Sequence, residues 1–389
     1  MRILMVSYHI PPDYSGAGVQ ALRLASRVQN DRVRVTIITA SPGNTRTNYE
    51  ILNGVEIYRL RVLNSPKFRS HSFAIIASWF LLTNYRSYDI IHLHGAYWRA
   101  FPIVLVSKIF KKKIVIKLTS LGTDDPDTIL KRPLGRILFK VLSMADAVVS
   151  ISTEMSQSYL RTSLSPNKLR QIHNGVSPSQ FMPGDECIRR KIRKSLKIPN
   201  SALLVIFAGL VSYLKGVDLL LRAWEKVTAE ESLAWLILAG PLGDDPNYPG
   251  GKTALRAWIE RTPRVCALGY QANISDLLGS GDLFILPSRL EGVSNALLEA
   301  MASGLACIAS RIKANQEVIQ DGENGLLFEP ENVEHLRSLI LQLLRNPEKR
   351  SSLGDGARAA ALKNYSLEEA AAEYTQLYYD LLENHITNT

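Results

Sequence analysis

Short β-branched and aliphatic runs alternate with longer amphipathic stretches along the whole chain. In the first half this pattern predicts strands at residues 2–7, 33–39, 55–60, 89–93, 114–119 and 147–151. In the second half it predicts them at 203–208, 235–239, 265–268, 283–286 and 306–309. Strands separated by helix-length segments argue for parallel, doubly wound sheets, whose ligands bind beyond the carboxyl ends of the strands. The run QIHNGVSPSQFMP at residues 171–183 gathers Asn, Gly, Ser and Pro and marks a boundary between two similar α/β domains. The expected division is 1–178 and 179–366. An amphipathic terminal helix within 367–389, carrying Tyr374, Tyr378 and Tyr379, returns to the first domain.

At 389 residues, 46% hydrophobic and 21% charged, the chain is globular and long for a single core. Its longest apolar run, FAIIASWFLL at residues 73–82, falls short of the ~18–20 residues of a membrane span. The first apolar run ends at His9, Pro11, Pro12 and Asp13, too early for a signal-peptide core of about 7–15 residues. Cys187, Cys266 and Cys307 lie far apart and suggest neither a disulfide framework nor a zinc site, which fits a reducing, cytoplasmic compartment. The net charge of +10 is concentrated at Lys108, Lys111, Lys112, Lys113 and Lys117, then at Lys131, Arg132, Arg136 and Lys140. Two readings stay open for this N-terminal cluster: peripheral attraction to anionic lipid at the inner face of a membrane, or a solvated basic face. No nucleic-acid-binding signature accompanies it, so nucleic acid is not an expected partner.

Candidate chemistry centres on PSRLEGVSNALLEAMASG, residues 287–304. A predicted strand ends at Pro287, a turn of small residues follows Glu291 through Gly292, Val293 and Ser294, and a helix then carries Glu299. Unpaired N–H groups at such a helix start favour an anion. Ser294 or Asn295 could cap the helix, and Gly304 suits a left-handed stop. Both glutamates could be solvated surface charges. The apolar setting of Glu299 argues for burial, and a buried carboxylate needs a partner. Two carboxylates beside an anion are tolerable if each meets neutral hydroxyls, as a sugar nucleotide would supply.

Elsewhere, Gly16 and Gly18 follow the first strand and either form a tight turn or let a ligand approach the backbone. His92 and His94 share one face of the fourth strand, with His94 nearer its carboxyl end; it is either a satisfied core histidine or a polar site residue. Thr119, Ser120, Thr123, Asp124 and Asp125 form a polar loop that could bind acceptor hydroxyls, with helix capping by Asp124 or Asp125 as the alternative. Lys215, before Gly216 and a helix, could reach a pyrophosphate or be an ordinary first-turn lysine. The adjacent pairs Asp124–Asp125 and Asp244–Asp245 do not make a metal site.

Glu291, seven intervening residues and Glu299, set within this stretch, resemble the signature of the retaining family 4 glycosyltransferases of GT-B fold. The likeness extends to Gly16–Gly18, His94, HNGV at 173–176, Lys215 with Gly216, and NGLLFEP from Asn324. It implies two Rossmann-like domains facing a central cleft. It also implies roles: Glu299 on the donor ribose, Glu291 on the transferred sugar, Gly292, Val293 and Ser294 lining the donor, and Lys215 neutralising the diphosphate. Gly16 and Gly18 would approach that diphosphate, Tyr270 would meet the base, and His94 would sit beside the transferred sugar. Leu210 stands where the family commonly has a second phosphate-clamping Arg, for which Arg289 or Arg311 could substitute. Ser120–Leu121 replaces a frequent His.

The activity so implied is retaining, metal-independent transfer from a UDP- or GDP-sugar, with no further cofactor. The expected acceptor is a hydroxyl of a saccharide or lipid-linked saccharide, in cell-envelope polysaccharide synthesis. A sugar-nucleotide epimerase of the same fold and a non-catalytic sugar-nucleotide-binding protein are the alternatives.

Overall fold

The computed structural model describes residues 1–386 except 14, 42–47, 66, 244–247 and 249, so the Asp244–Asp245 pair lies outside the described residues. The chain divides into two compact units, Met1–Gly175 with Leu367–Thr389, and Val176–Ser366.

The first unit runs β1 (Arg2–Val6), α1 (Gly16–Val28), β2 (Arg34–Ala40), β3 (Tyr49–Leu52), β4 (Val55–Leu60), α2 (Arg69–Thr83), β5 (Ile90–His94) and α3 (Ala100–Ile109). It continues with β6 (Lys113–Lys117), α4 (Pro126–Lys131), α5 (Gly135–Met144), β7 (Ala147–Ser150), α6 (Thr153–Leu160) and β8 (Leu169–Gln171). The strands form one sheet in the order β3-β4-β2-β1-β5-β6-β7-β8, parallel except for the β3–β4 hairpin. Asn53 and Gly54, at φ 51° and 78°, close that hairpin in the left-handed conformation a two-residue loop requires. Every residue of β5 is buried, because helices cover both faces of the sheet. On one face Phe73, Leu81, Ile103 and Leu142 pack against Leu4, Ile91 and Ile116. On the other, Tyr374, Leu377 and Tyr378 join Met5, Val115 and Val149.

The second unit runs α7 (Glu186–Leu196), β9 (Leu203–Ala208), α8 (Val217–Glu230), β10 (Ala234–Ala239), α9 (Gly251–Arg261), β11 (Val265–Gly269), α10 (Ser275–Gly279) and β12 (Leu283–Leu286). Then come α11 (Asn295–Ala302), β13 (Ala306–Ser310), α12 (Lys313–Val318), β14 (Leu326–Phe328), α13 (Val333–Arg345) and α14 (Pro347–Asn364). Its wholly parallel sheet has the order β11-β10-β9-β12-β13-β14. The last helix, α15 (Leu367–Ile386), packs on α1 of the first unit.

In both sheets the strand order reverses beside the first strand, between β1 and β5 and between β9 and β12. At such a switch point the following loops diverge to opposite faces and leave a crevice, the place where open α/β sheets bind ligands. The loops carrying His9–Gly18, His94, Lys215 and Glu291 all leave the sheets at these two places.

Candidate functional site

In the second unit the loop after β9 is brought against the loop after β12. Gly216 has φ +67°, and a Cβ there would lie 1.9 Å from the Pro287 carbonyl oxygen, so the contact needs glycine. Arg289 ties the two loops together. Its amide donates to Leu214 O at 3.0 Å, its guanidinium to Tyr213 O at 2.5 Å, and it lies 3.7 Å from the Tyr213 ring centroid. Its two terminal nitrogens also grip Asp218 at 2.7 and 2.9 Å. Burial opposes this guanidinium's charge, yet the hydrogen bonds it donates to Asp218 and Glu331 hold its pKa above the ordinary arginine value. Arg289 is therefore a strut. Arg311 is likewise engaged, with Asp321 and Glu329. Neither substitutes freely for the clamp absent at Leu210, whose side chain instead fills the space beside Gly243.

The strut sets Lys215 opposite Glu291. The ammonium donates to both carboxylate oxygens at 2.8 Å, and the Ser288 hydroxyl donates to Oε1 at 2.7 Å. The carboxylate side chain is 7% exposed and the lysine 26%, so the cation is the part solvent or a ligand can reach. Ser294 is the N-cap of α11, and its side chain makes no capping bond to the helix-start amides. Glu299 is buried in the second turn, and Gly304 ends the helix region at φ +74°. Tyr270, after β11, is 39% exposed.

In the first unit His94 ends β5, buried, with neither ring nitrogen hydrogen-bonded. Burial, with help from His92 and Lys117, holds its pKa well below the usual histidine range, so the imidazole is neutral near pH 7. The His92 ring lies 4.3 Å away, and its Nδ1 is 2.7 Å from the Tyr378 hydroxyl. His92 is thus half satisfied, with its Nε2 unbonded, whereas neither ring nitrogen of His94 has a partner.

Three sequence readings change here. Asp124 does not offer its carboxylate to an acceptor. It accepts from the Thr119 hydroxyl at 2.8 Å and from the amides of Thr119, Ser120 and Ala96, locking the turn that follows His94. Burial pushes this carboxyl up, against those hydrogen bonds. Asp125 is the cap, accepting from Thr128 N at 3.1 Å. Gly18 has an internal reason to be glycine, since a Cβ would sit 1.9 Å from His9 O; its amide donates to Ser15 Oγ, and α1 begins at Gly16. Lys117 belongs to no basic surface: it is 3% exposed, pairs in register with His94, and its ammonium lies 5.5 Å from the Tyr374 ring.

Sequence reasoning missed Arg99. Its guanidinium carbon lies 4.4 Å from the Tyr8 ring centroid and 4.3 Å from that of Tyr97, at the β1/β5 switch point. No carboxylate comes within ion-pair distance of it among the described residues. Tyr97 is itself fixed by its hydroxyl, 3.3 Å from Thr119 Oγ1. Two aromatic faces thus hold the cation, and the Asp124 carboxylate acts on it only from beyond ion-pair distance. Among the described residues no group of three or more His, Cys, Asp or Glu side chains is arranged to hold a metal ion.

Comparison with known proteins places the chain by family and fold. Residues 14–180 match the model of Glycosyltransferase Family 4, and residues 188–360 that of Glycosyl transferases group 1. The chain is 24% identical to N-acetyl-alpha-D-glucosaminyl L-malate synthase of Bacillus anthracis, over 95% of each chain. It is 23% identical to D-inositol 3-phosphate glycosyltransferase of Streptomyces scabiei, covering 99% of this chain and 92% of that one. Anabaena HepE, solved in complex with UDP-glucose, superposes with a TM-score of 0.80 at 18% identity, over 98% of this chain and 100% of that one, which shows the shared fold. With a family model matched by each unit and both switch points furnished as described, the chain belongs to the family 4 glycosyltransferases and has the GT-B fold.

Proposed function

We propose that the protein moves a sugar, with retention of anomeric configuration, from a uridine or guanosine diphosphate sugar to an acceptor hydroxyl. The observation that carries this is the Lys215–Glu291–Ser288 constellation beside the uncapped start of α11. Breaking the anomeric bond leaves an oxocarbenium-like sugar and a diphosphate that gains negative charge. A fixed ammonium and helix-terminal amides stabilise that charge in a partly dry site, so the chain supplies its own cation for the leaving group. Glu291 and Glu299 then serve the hydroxyls of the sugar and the ribose, while Tyr270 meets the base and Gly16 the diphosphate. His94, neutral and unpaired, sits near the transferred sugar and meets the incoming acceptor hydroxyl.

Arg99 favours an acceptor with an anionic group. Malate and inositol 3-phosphate, named for two relatives, are both anions, and a lipid-linked saccharide of the cell envelope carries phosphate. Thr119 and Ser120 flank the place where that acceptor would enter.

The test is to incubate the protein with UDP-, GDP- and ADP-sugars and anionic acceptors, with and without EDTA, and read the product by NMR. A product of unchanged anomeric configuration, formed equally in EDTA, is expected. An inverted product, or one that needs added divalent ions, overturns the mechanism. An isomerised nucleotide sugar formed without acceptor assigns an epimerase.

A further inference from the structure

Helices α2, α3 and α5 pack side by side on one face of the eight-stranded sheet. Their inner sides belong to the core, but their outer sides are apolar as well. Ile75 and Trp79 on α2, Leu105 and Ile109 on α3, and Leu134 and Ile137 at α5 are all exposed, Trp79 by 66% and Ile109 by 72%. Within α2 and α3 the pairs are four residues apart, so each forms a stripe along its helix. The two helices pack on each other and meet at both ends. At one end the His71 and Trp98 rings are 4.3 Å apart; at the other, Tyr85 stacks on Phe110 at 4.5 Å. Leu134, 74% exposed, is held at φ 63°, an uncommon conformation for a bulky residue.

The charge on this face has one sign. No Asp or Glu occurs in α2, α3 or α5. Lys111, Lys131, Arg136 and Lys140 are exposed around the apolar stripes, with no carboxylate partner among the described residues. The basic run read from the sequence is thereby sorted. Lys108 and Lys112 are occupied, with Asp146 and the Tyr88 carbonyl, and Lys117 is buried, while these four remain at the surface.

We infer that this face docks on a bilayer containing anionic phospholipid. The exposed aliphatic and tryptophan side chains enter the boundary between headgroups and acyl chains, and the basic rim meets lipid phosphates. No helix of the described residues is long and apolar enough to cross a membrane, so the contact is to one leaflet. A second copy is a poor occupant, because an isologous contact would set Arg136 and Lys140 against like charges. The Trp98 end of the face adjoins the edge of the sheet where β5 ends. A lipid-borne acceptor would thus be presented beside His94 and Arg99.

The full chain is sedimented with vesicles of phosphatidylcholine alone and of phosphatidylcholine mixed with phosphatidylglycerol. Binding to the mixed vesicles, at least about tenfold stronger than to the neutral ones and weakened by high salt, is expected. The double change Ile75→Glu with Trp79→Glu should abolish it, and Arg136→Glu with Lys140→Glu should weaken it at low salt. Each variant should keep the thermal shift given by a nucleotide sugar, which shows that it folds. Equal binding to both vesicle types, binding to neither, or full binding by the Ile75/Trp79 variant overturns the inference. Self-association without vesicles that the same variant loses would assign the face to a second copy. A failed vesicle test leaves the transferase reading standing, since transfer to a water-soluble acceptor is read separately.

Discussion

The two switch points hold their charges differently. After β9 and β12 the cations are paired: Lys215 with Glu291, Arg289 with Asp218, and Arg311 with Asp321. After β1 and β5 two groups lack a contacting partner: His94 is neutral and unbonded, and Arg99 is stacked on two rings with Asp124 acting on it only from beyond ion-pair distance. A paired site is rigid before ligand arrives, and a dianion entering it must share the ammonium with a carboxylate. A site of unpaired groups costs more to leave empty, because buried polar atoms go unsatisfied, and it gains more from a ligand that supplies their bonds. The second unit is thus suited to grip a constant, highly charged donor, and the first to select an acceptor.

The largest effect should come from breaking the paired side. Lys215→Ala removes the leaving group's cation and leaves Glu291 with the Ser288 hydroxyl in place of an ammonium, so kcat/KM for transfer should fall by about 10²–10³ in a steady-state assay of nucleoside diphosphate release. A loss below about threefold would mean that the pair is structural. On the unpaired side, His94→Ala should lower kcat by about 10²; an unchanged kcat would return His94 to a packing role.

The smallest effect sharpens the contrast through stability. Burial brings Lys117 down to about 7, from an ordinary value of 10.5. The unfolded chain therefore binds more protons between those values, and stability rises with pH across that window. Below about pH 7 both states are protonated and the cost of a buried ammonium is present in full. Lys117→Met should raise the melting temperature near pH 7 and flatten the rise toward pH 10; parallel curves for variant and wild type would show that the ammonium is solvated.

How much could be read in advance follows the same division. The donor half was readable because its proposed chemistry is local: Glu291, a small-residue turn and a helix carrying Glu299 lie within 18 residues after a strand, from Pro287 to Gly304. The strands were readable from their apolar runs, most differing only by a residue or two at their ends. The β3 strand was missed although Asn53–Gly54 is a hairpin signal, because the short strand before it is half exposed and carries no apolar run. Beyond His94 and the polar loop at 119–125, the acceptor half was not readable, because its other determinants are distant in sequence. Arg99 is defined by Tyr8, and Lys117 is buried by Tyr374 on the returning helix. Asp124 looked available until its hydrogen bonds to its own loop were visible.

Calorimetric titration of the active nucleotide sugar into wild type, Lys215→Ala and His94→Ala tests this division of labour most directly. Affinity at least about tenfold weaker in Lys215→Ala and unchanged in His94→Ala is the predicted result. Unchanged affinity in Lys215→Ala, or an equal loss in both variants, would contradict it.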